Sequence, residues 1–387
     1  MSDPAQLLNL HLPYLKYDSQ EAYFADAAEI FVDSPGMRLR RKGSSADVAV
    51  QGGALDLAFL ATDPHPYPGT SFKPAATDTV GVPDKQYRAR AAALHARPEL
   101  ANVCYGHAVS DRDGATWLQY WYFYFYNDYN LIGQIIKAGL HEGDWEMVQV
   151  RLGPGEAPDY AVYAQHSHAA GRPWDQVEKV PGTARPVVYV ARGSHAAYFD
   201  PGTKWTGVWF DYADGKRQSP ARQTLVPIIS GDATKRWIRW PGHWGDTPKG
   251  PLPQDSDSPR SPGSHRQWLD PLVLVDVAET AAPALAPAER PAPPPAPGVT
   301  LTRTADGGAR LDWTIADGTP ATALTITINS KDEAAPPRTF NERIDGPSGT
   351  VMLEDIDPGH RYDVFVSDVS AEGIPSESIR RDLAAEA

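Results

Sequence analysis

Trp117 to Asp128 reads WLQYWYFYFYND, and few folds can hold such a run. Side chains of a strand alternate between two faces. One face here carries Trp117, Gln119, Trp121, Phe123 and Phe125. The other carries Leu118, Tyr120, Tyr122, Tyr124 and Tyr126 and ends in Asp128. Both faces are bulky. The run is therefore expected to be a central strand covered on both sides, with its tyrosines in a core rather than on a ligand-stacking platform.

A second cluster follows, His141-Glu142-Gly143-Asp144-Trp145-Glu146, directly before the apolar Met147-Val148-Gln149-Val150. One imidazole and three carboxylates beside a core need compensation, and a bound cation supplies it. On a strand, Asp144 and Glu146 share a face, while Trp145 points the other way as an anchor. Gly143 permits a tight turn that would bring His141 round to the carboxylates. The alternative is a salt-bridged strand terminus.

The chain has 387 residues and a formal net charge of -13, so several domains are expected and nucleic acid is an unfavoured partner. From Val299 onward, 8 Lys and Arg face 16 Asp and Glu, which makes the C-terminal part the acidic one. The single cysteine, Cys104, excludes an intramolecular disulfide. The N-terminus shows no secretory signal, and no apolar run is long enough to span a membrane. The expectation is a cytoplasmic chain or one exported without a signal.

Glu279 to Pro297 reads ETAAPALAPAERPAPPPAP, a semi-rigid Ala/Pro spacer. It divides the chain into 1–277, a linker at 278–298, and 299–387. The last segment alternates as strands do, at Leu311 and Trp313, at Leu324, Ile326 and Ile328, and at Tyr362, Val364 and Val366. Its run from Leu353 to Val364 resembles the fibronectin type III family, in which a tyrosine at the start of a late strand ties down a corner through its hydroxyl. Tyr362 would be that tyrosine and Trp313 the core tryptophan. The first segment reads as a decorated β-sandwich, so the chain is expected to be mainly β. Further strands are expected over 159–168 and 186–191, with one helix over 84–95.

Other histidines suggest a site. His166 and His168 form an H-x-H pair on a predicted strand, so both rings would face one side. His195 follows the strand Val187 to Val190 in Arg192-Gly193-Ser194-His195, and strand ends followed by glycine present groups on a rigid base. Each also has a quieter reading, as a hydrogen-bonded pair or a turn residue. The oxygen-rich set suits Mg or Ca, with Mn or Zn as alternatives.

Four motifs together resemble the family of vacuolar protein sorting-associated protein 62. They are Tyr17 to Phe24, His141 to Glu146, Ala191 to Ala196, and Trp240 to Gly245. The resemblance covers most of residues 10–272 and implies no mechanism. A more distant similarity is to the necrosis- and ethylene-inducing peptide-like cytolysins, whose signature is Gly-His-Arg-His-Asp-Trp-Glu. It implies a β-sandwich, a divalent cation at the signature and a sphingolipid head-group target. Carried over by position, Asp128, His141, Asp144 and Glu146 would hold the cation. Glu142 and Gly143 stand where that family has Arg and His, and its disulfide cannot form here.

Two functions follow as expectations. The first is a divalent-cation-dependent recognition module for a glycolipid, a glycan or a membrane surface. His166, His168, His195, Trp205 and Trp244 would be its ligand-binding residues, because indoles suit sugar faces and membrane interfaces. The second is a metal-dependent hydrolase of phosphoester or glycosidic bonds, with Glu142 or Glu146 as base and His166 or His195 as acid. A purely structural ion is a third possibility.

Overall fold

The structure is a computed structural model. It describes residues 3–32, 34–41, 55–62, 65–129, 139–206, 210–219, 223–229, 232–246, 257–280, 295–304, 308–316, 321–332, 338–344, 346–353, 356–370, 376 and 379–385. Most of the expected Ala/Pro linker lies outside the described residues. The chain is mainly β. It forms two compact units, one of Met1–Asp128, Gly139–Pro201 and Ala213–Ala284, the other of Tyr129–Ala138, Gly202–Tyr212 and Leu285–Ala387.

The first unit is built on a six-stranded sheet. Its strands are β2 (Val103–Ser110), β3 (Thr116–Asn127), β4 (His141–Leu152), β5 (Pro158–Gln165), β6 (His168–Pro173) and β10 (Thr224–Pro227), in the order β10-β2-β3-β4-β5-β6. Pairing is antiparallel except between β10 and β2. The aromatic run is the interior strand β3, as its two bulky faces require.

Its tyrosine face, with Leu118, Tyr120, Tyr122 and Tyr124, packs against a second sheet. That sheet has the order β8-β7-β1-β9, from β1 (Tyr14–Tyr17), β7 (Val187–Val190), β8 (Ala197–Tyr198) and β9 (Arg217–Gln218). Leu15, Tyr17, Val188 and Val190 supply the facing layer. The two sheets make the sandwich.

The tryptophan face of β3 packs under short helices and loops. Trp117, Trp121, Phe123 and Phe125 meet Phe31, Trp237, Trp240, Trp244 and Trp268. The expected helix over 84–95 is α1 (Tyr87–His95), and a second helix, α2 (Leu272–Thr280), closes the same side. Asp84 lies before α1 and binds Arg90.

In the second unit, seven strands of the C-terminal segment form two sheets. One has the order β11-β12-β15, from β11 (Gly298–Arg303), β12 (Ala309–Thr314) and β15 (Ser348–Leu353). The other has the order β14-β13-β16-β17, from β13 (Ala321–Ser330), β14 (Arg338–Arg343), β16 (Tyr362–Ser370) and β17 (Ile379–Leu383). Leu311, Trp313, Leu324, Ile326, Ile328, Val364 and Val366 fill the core between them. The Tyr362 hydroxyl accepts the Asp357 N–H at 3.0 Å, the tied corner expected from the sequence. Gly349 lies opposite Trp313, and a Cβ there would come 2.6 Å from the indole.

Asp368 of β16 is fully buried, and among the described residues its carboxylate oxygens have no hydrogen-bond partner. Burial raises its pKa above the ordinary carboxyl value. Asp368→Asn is therefore expected to stabilise the second unit by about 1–2 kcal/mol at pH 7. The gain should shrink as the pH falls and the native carboxyl takes up a proton. Calorimetric unfolding of the full chain tests this, and a loss of stability in the variant would contradict it.

Candidate functional site

Strand β4 builds one wall. Trp145 points into the aromatic side, 5.0 Å from Phe123, while Asp144 lies opposite Tyr124 on the other face. This is the split that alternation predicts. It breaks one step earlier, at Gly143. That residue has φ 60°, and a Cβ there would sit 2.2 Å from the Trp244 carbonyl oxygen. Glu142 consequently leaves Asp144. Its Oε2 accepts the N–H groups of Val82 (3.1 Å) and Asp246 (3.0 Å), and its Oε1 accepts the Tyr87 hydroxyl at 2.9 Å. A buried carboxylate engaged by three donors acts as a tether between segments.

The loop after β7 builds the second wall. Gly193 has φ 73° and His195 φ 57°, so the chain turns back and Ala191 N donates to Ala196 O. The turn places the His195 ring flat on Tyr124, with centroids 3.9 Å apart and planes at 3°. His195 Nδ1 donates to Asp144 Oδ2 at 2.8 Å. Asn127 Nδ2 reaches the same oxygen at 3.3 Å.

The third wall was not expected. Glu21, just after β1, lies 3.7 Å from His195 Nε2 through its Oε1. Its Oε2 accepts Gly193 N at 2.7 Å, and its Oε1 accepts Ala22 N and Tyr23 N at 2.7 and 2.8 Å. Burial by itself would lower the His195 pKa. The charge of Glu21 and the hydrogen bond to Asp144 outweigh it and push the value up to about 9. Conversely, the imidazolium overcomes the effect of burial on Glu21 and holds its pKa below the ordinary carboxyl range. Three segments far apart in sequence thus meet at one buried cation. Glu21 stands inside the Tyr17 to Phe24 motif, which was the available signal for it.

Asp128 adjoins this network. Its N–H donates to Gly193 O at 2.9 Å, and Arg88 pairs with its carboxylate at 3.0 Å. Burial raises its pKa despite Arg88. The charges of Glu146, Asp144 and Glu21 all bear on the Tyr124 hydroxyl, so the carboxylates form one acidic neighbourhood. His141 turns its Nδ1 onto Gly143 O at 2.7 Å.

The donor set of Asp128, His141, Asp144 and Glu146 suits a hard divalent ion by chemistry. By position it does not close around one. Among the described residues, no three His, Cys, Asp or Glu side chains converge as ligands.

Four expected ligand-binding residues stand elsewhere. His166 and His168 do not share a strand, because β5 ends at Gln165 and pairs it with His168 across a two-residue turn. His166 takes φ 57° in that turn, and both histidines are exposed. Trp244 is fully buried, against Phe123, Trp145 and Trp237, with its Nε1 donating to Ser261 Oγ at 2.9 Å. It is core because the tryptophan face of β3 needs a cover. Trp205 is 56% exposed, beside Phe210 in the second unit. His195 lies in the network, at 1% exposure.

Comparisons with known proteins bear on the same segments. Residues 110–226 match the family model of vacuolar protein sorting-associated protein 62. The protein of that name from Saccharomyces cerevisiae is 28% identical over 189 residues, covering 40% of this chain and 39% of its own length. The chain thus spans about two fifths of that relative. Among solved structures, the fn3 domain of human collagen alpha-1(XX) chain is 19% identical and covers 25% of this chain and 90% of that one, at a TM-score of 0.22. An Fn3-like protein from Clostridium thermocellum is 23% identical over 24% of this chain and 95% of that one, at a TM-score of 0.20.

Proposed function

We propose, from the premise that this chain belongs to the vacuolar protein sorting-associated protein 62 family through its domain at residues 110–226, that the first unit is a recognition module dependent on a divalent cation. Its ligand would be a glycolipid head group or a glycan. The supporting observation is the charge of the site. Glu21, Asp144 and Asp128 are gathered in a largely buried place, with Glu146 beside them, and His195 and Arg88 are the cations seen set against Asp144, Glu21 and Asp128 among the described residues. Such a neighbourhood favours added positive charge. Asp144, Glu146 and Asp128 would hold a Mg or Ca ion by oxygen, with His141 beside them. The bound ion would supply a positive centre for vicinal hydroxyls or an anionic head group.

The chain's own residues supply the frame. Tyr124 and the turn at Gly193 fix His195, and His195 fixes Asp144. Trp145 anchors the strand that carries both acids. The likeness of His141 to Glu146 to the cytolysin signature agrees with this reading. Binding of the full chain to glycan arrays and glycolipid vesicles, with Ca or Mg and then with chelator, is the test. Binding that chelator abolishes is expected. Binding insensitive to chelator, or none on any surface, would overturn the proposal.

A further inference from the structure

A second place in the first unit has the make-up of a binding site. A cleft of about 340 Å³ lies between α1 and the segment after β1, a size within the roughly 300–1,000 Å³ of small-molecule sites. Phe24 and Phe125 line it, together with Ala91, Ala92 and Ala96. Alanines on this wall leave room that larger side chains would fill.

Its charges are unevenly matched. Asp26 is held by His95 Nδ1 at 2.8 and 3.1 Å and by Asn102 N at 3.1 Å. Glu21, the inner wall, spends its oxygens on Ala22, Tyr23 and Gly193 N–H groups and faces His195. Arg217 is different. Its Nη1 donates to the Glu21 carbonyl oxygen at 2.8 Å, and its guanidinium lies 4.4 Å over the Phe24 ring. Among the described residues, no carboxylate pairs with it. Stacking fixes the guanidinium plane and leaves the other donors along its edge, an arrangement suited to a carboxylate or phosphate.

We propose that this cleft binds a small anion carried on an apolar, ring-sized body, with the anion on Arg217 and the body against Phe24, Phe125 and the alanine face of α1. The anion is a carboxylate or a phosphate monoester. The cleft shares Glu21 with the Asp144 network, but neither a cation nor Asp144 is among its lining groups, so the proposal does not rest on the recognition reading.

Isothermal titration of the full chain with phenyl phosphate, benzoate and inorganic phosphate tests it, in the presence of chelator. At least one ring compound should bind saturably at about millimolar or tighter Kd. Inorganic phosphate should bind at least about tenfold more weakly, because the apolar walls then contribute nothing. Arg217→Gln should weaken the ring compound about tenfold or more. Ala92→Phe, a filling change at an exposed helix position, should abolish binding while leaving the melting profile unchanged. This second variant decides the matter if Arg217→Gln disturbs folding. No saturable binding of either ring compound, equal binding of inorganic phosphate, or unchanged affinity in Ala92→Phe would each overturn the proposal.

Discussion

Replacing His195 by alanine is expected to lower the unfolding free energy of the chain by about 3–5 kcal/mol at pH 7. The ring is fully buried, and its removal leaves Glu21 and Asp144 facing each other without a cation. The stacking on Tyr124 is lost as well. The double variant Glu21→Gln with His195→Ala should lose less than the sum of the single changes, by about 1–3 kcal/mol, because one unmatched charge is then gone. Urea unfolding of the four proteins gives this coupling. A loss below about 1 kcal/mol for His195→Ala would show that the network carries little of the stability.

The second large effect is on pH. The folded pKa of His195 is raised to about 9, from the ordinary imidazole value of 6.5. Folded protein therefore binds this proton more tightly than unfolded protein does. The resulting stability is fully present below pH 6.5 and is lost as pH rises through 9. The charges facing the ring are Glu21 and Asp144, with Asp128 further along the same neighbourhood. Glu21, with its lowered pKa, works in the opposite direction at acid pH. Its share is present above the ordinary carboxyl range and lost as pH falls through the folded value. Between pH 6.5 and 9.5, in chelator-containing buffer, the stability of the first unit should fall by about 3 kcal/mol, and His195→Gln should flatten that slope. An unchanged slope in the variant would assign the effect to other groups.

Much of the fold follows from alternation. The aromatic run declares a central strand because neither of its parities is polar. The separation of Asp144 from Trp145 is likewise visible, since it is local. Three features were hidden for physical reasons. His166 and Ser167 form a turn that carries no glycine or asparagine, so β5 and β6 read as one strand. Trp244 sits among Gly and Pro in a loop that looks exposed, yet the sheet presents its own tryptophans there and needs cover. Glu21 reaches His195 through the parallel pairing of β1 with β7, a contact between segments more than 160 residues apart that no local pattern announces.

The recognition reading rests on one claim, that the acidic neighbourhood of Asp144 takes up a divalent ion. Calorimetric titration of Ca and of Mg into the full chain measures this directly. The prediction is saturable uptake of one ion by the native protein and at least about a tenfold weaker affinity in Asp144→Asn. Absence of uptake of either ion, or equal affinity in the folded Asp144→Asn variant, would contradict the claim.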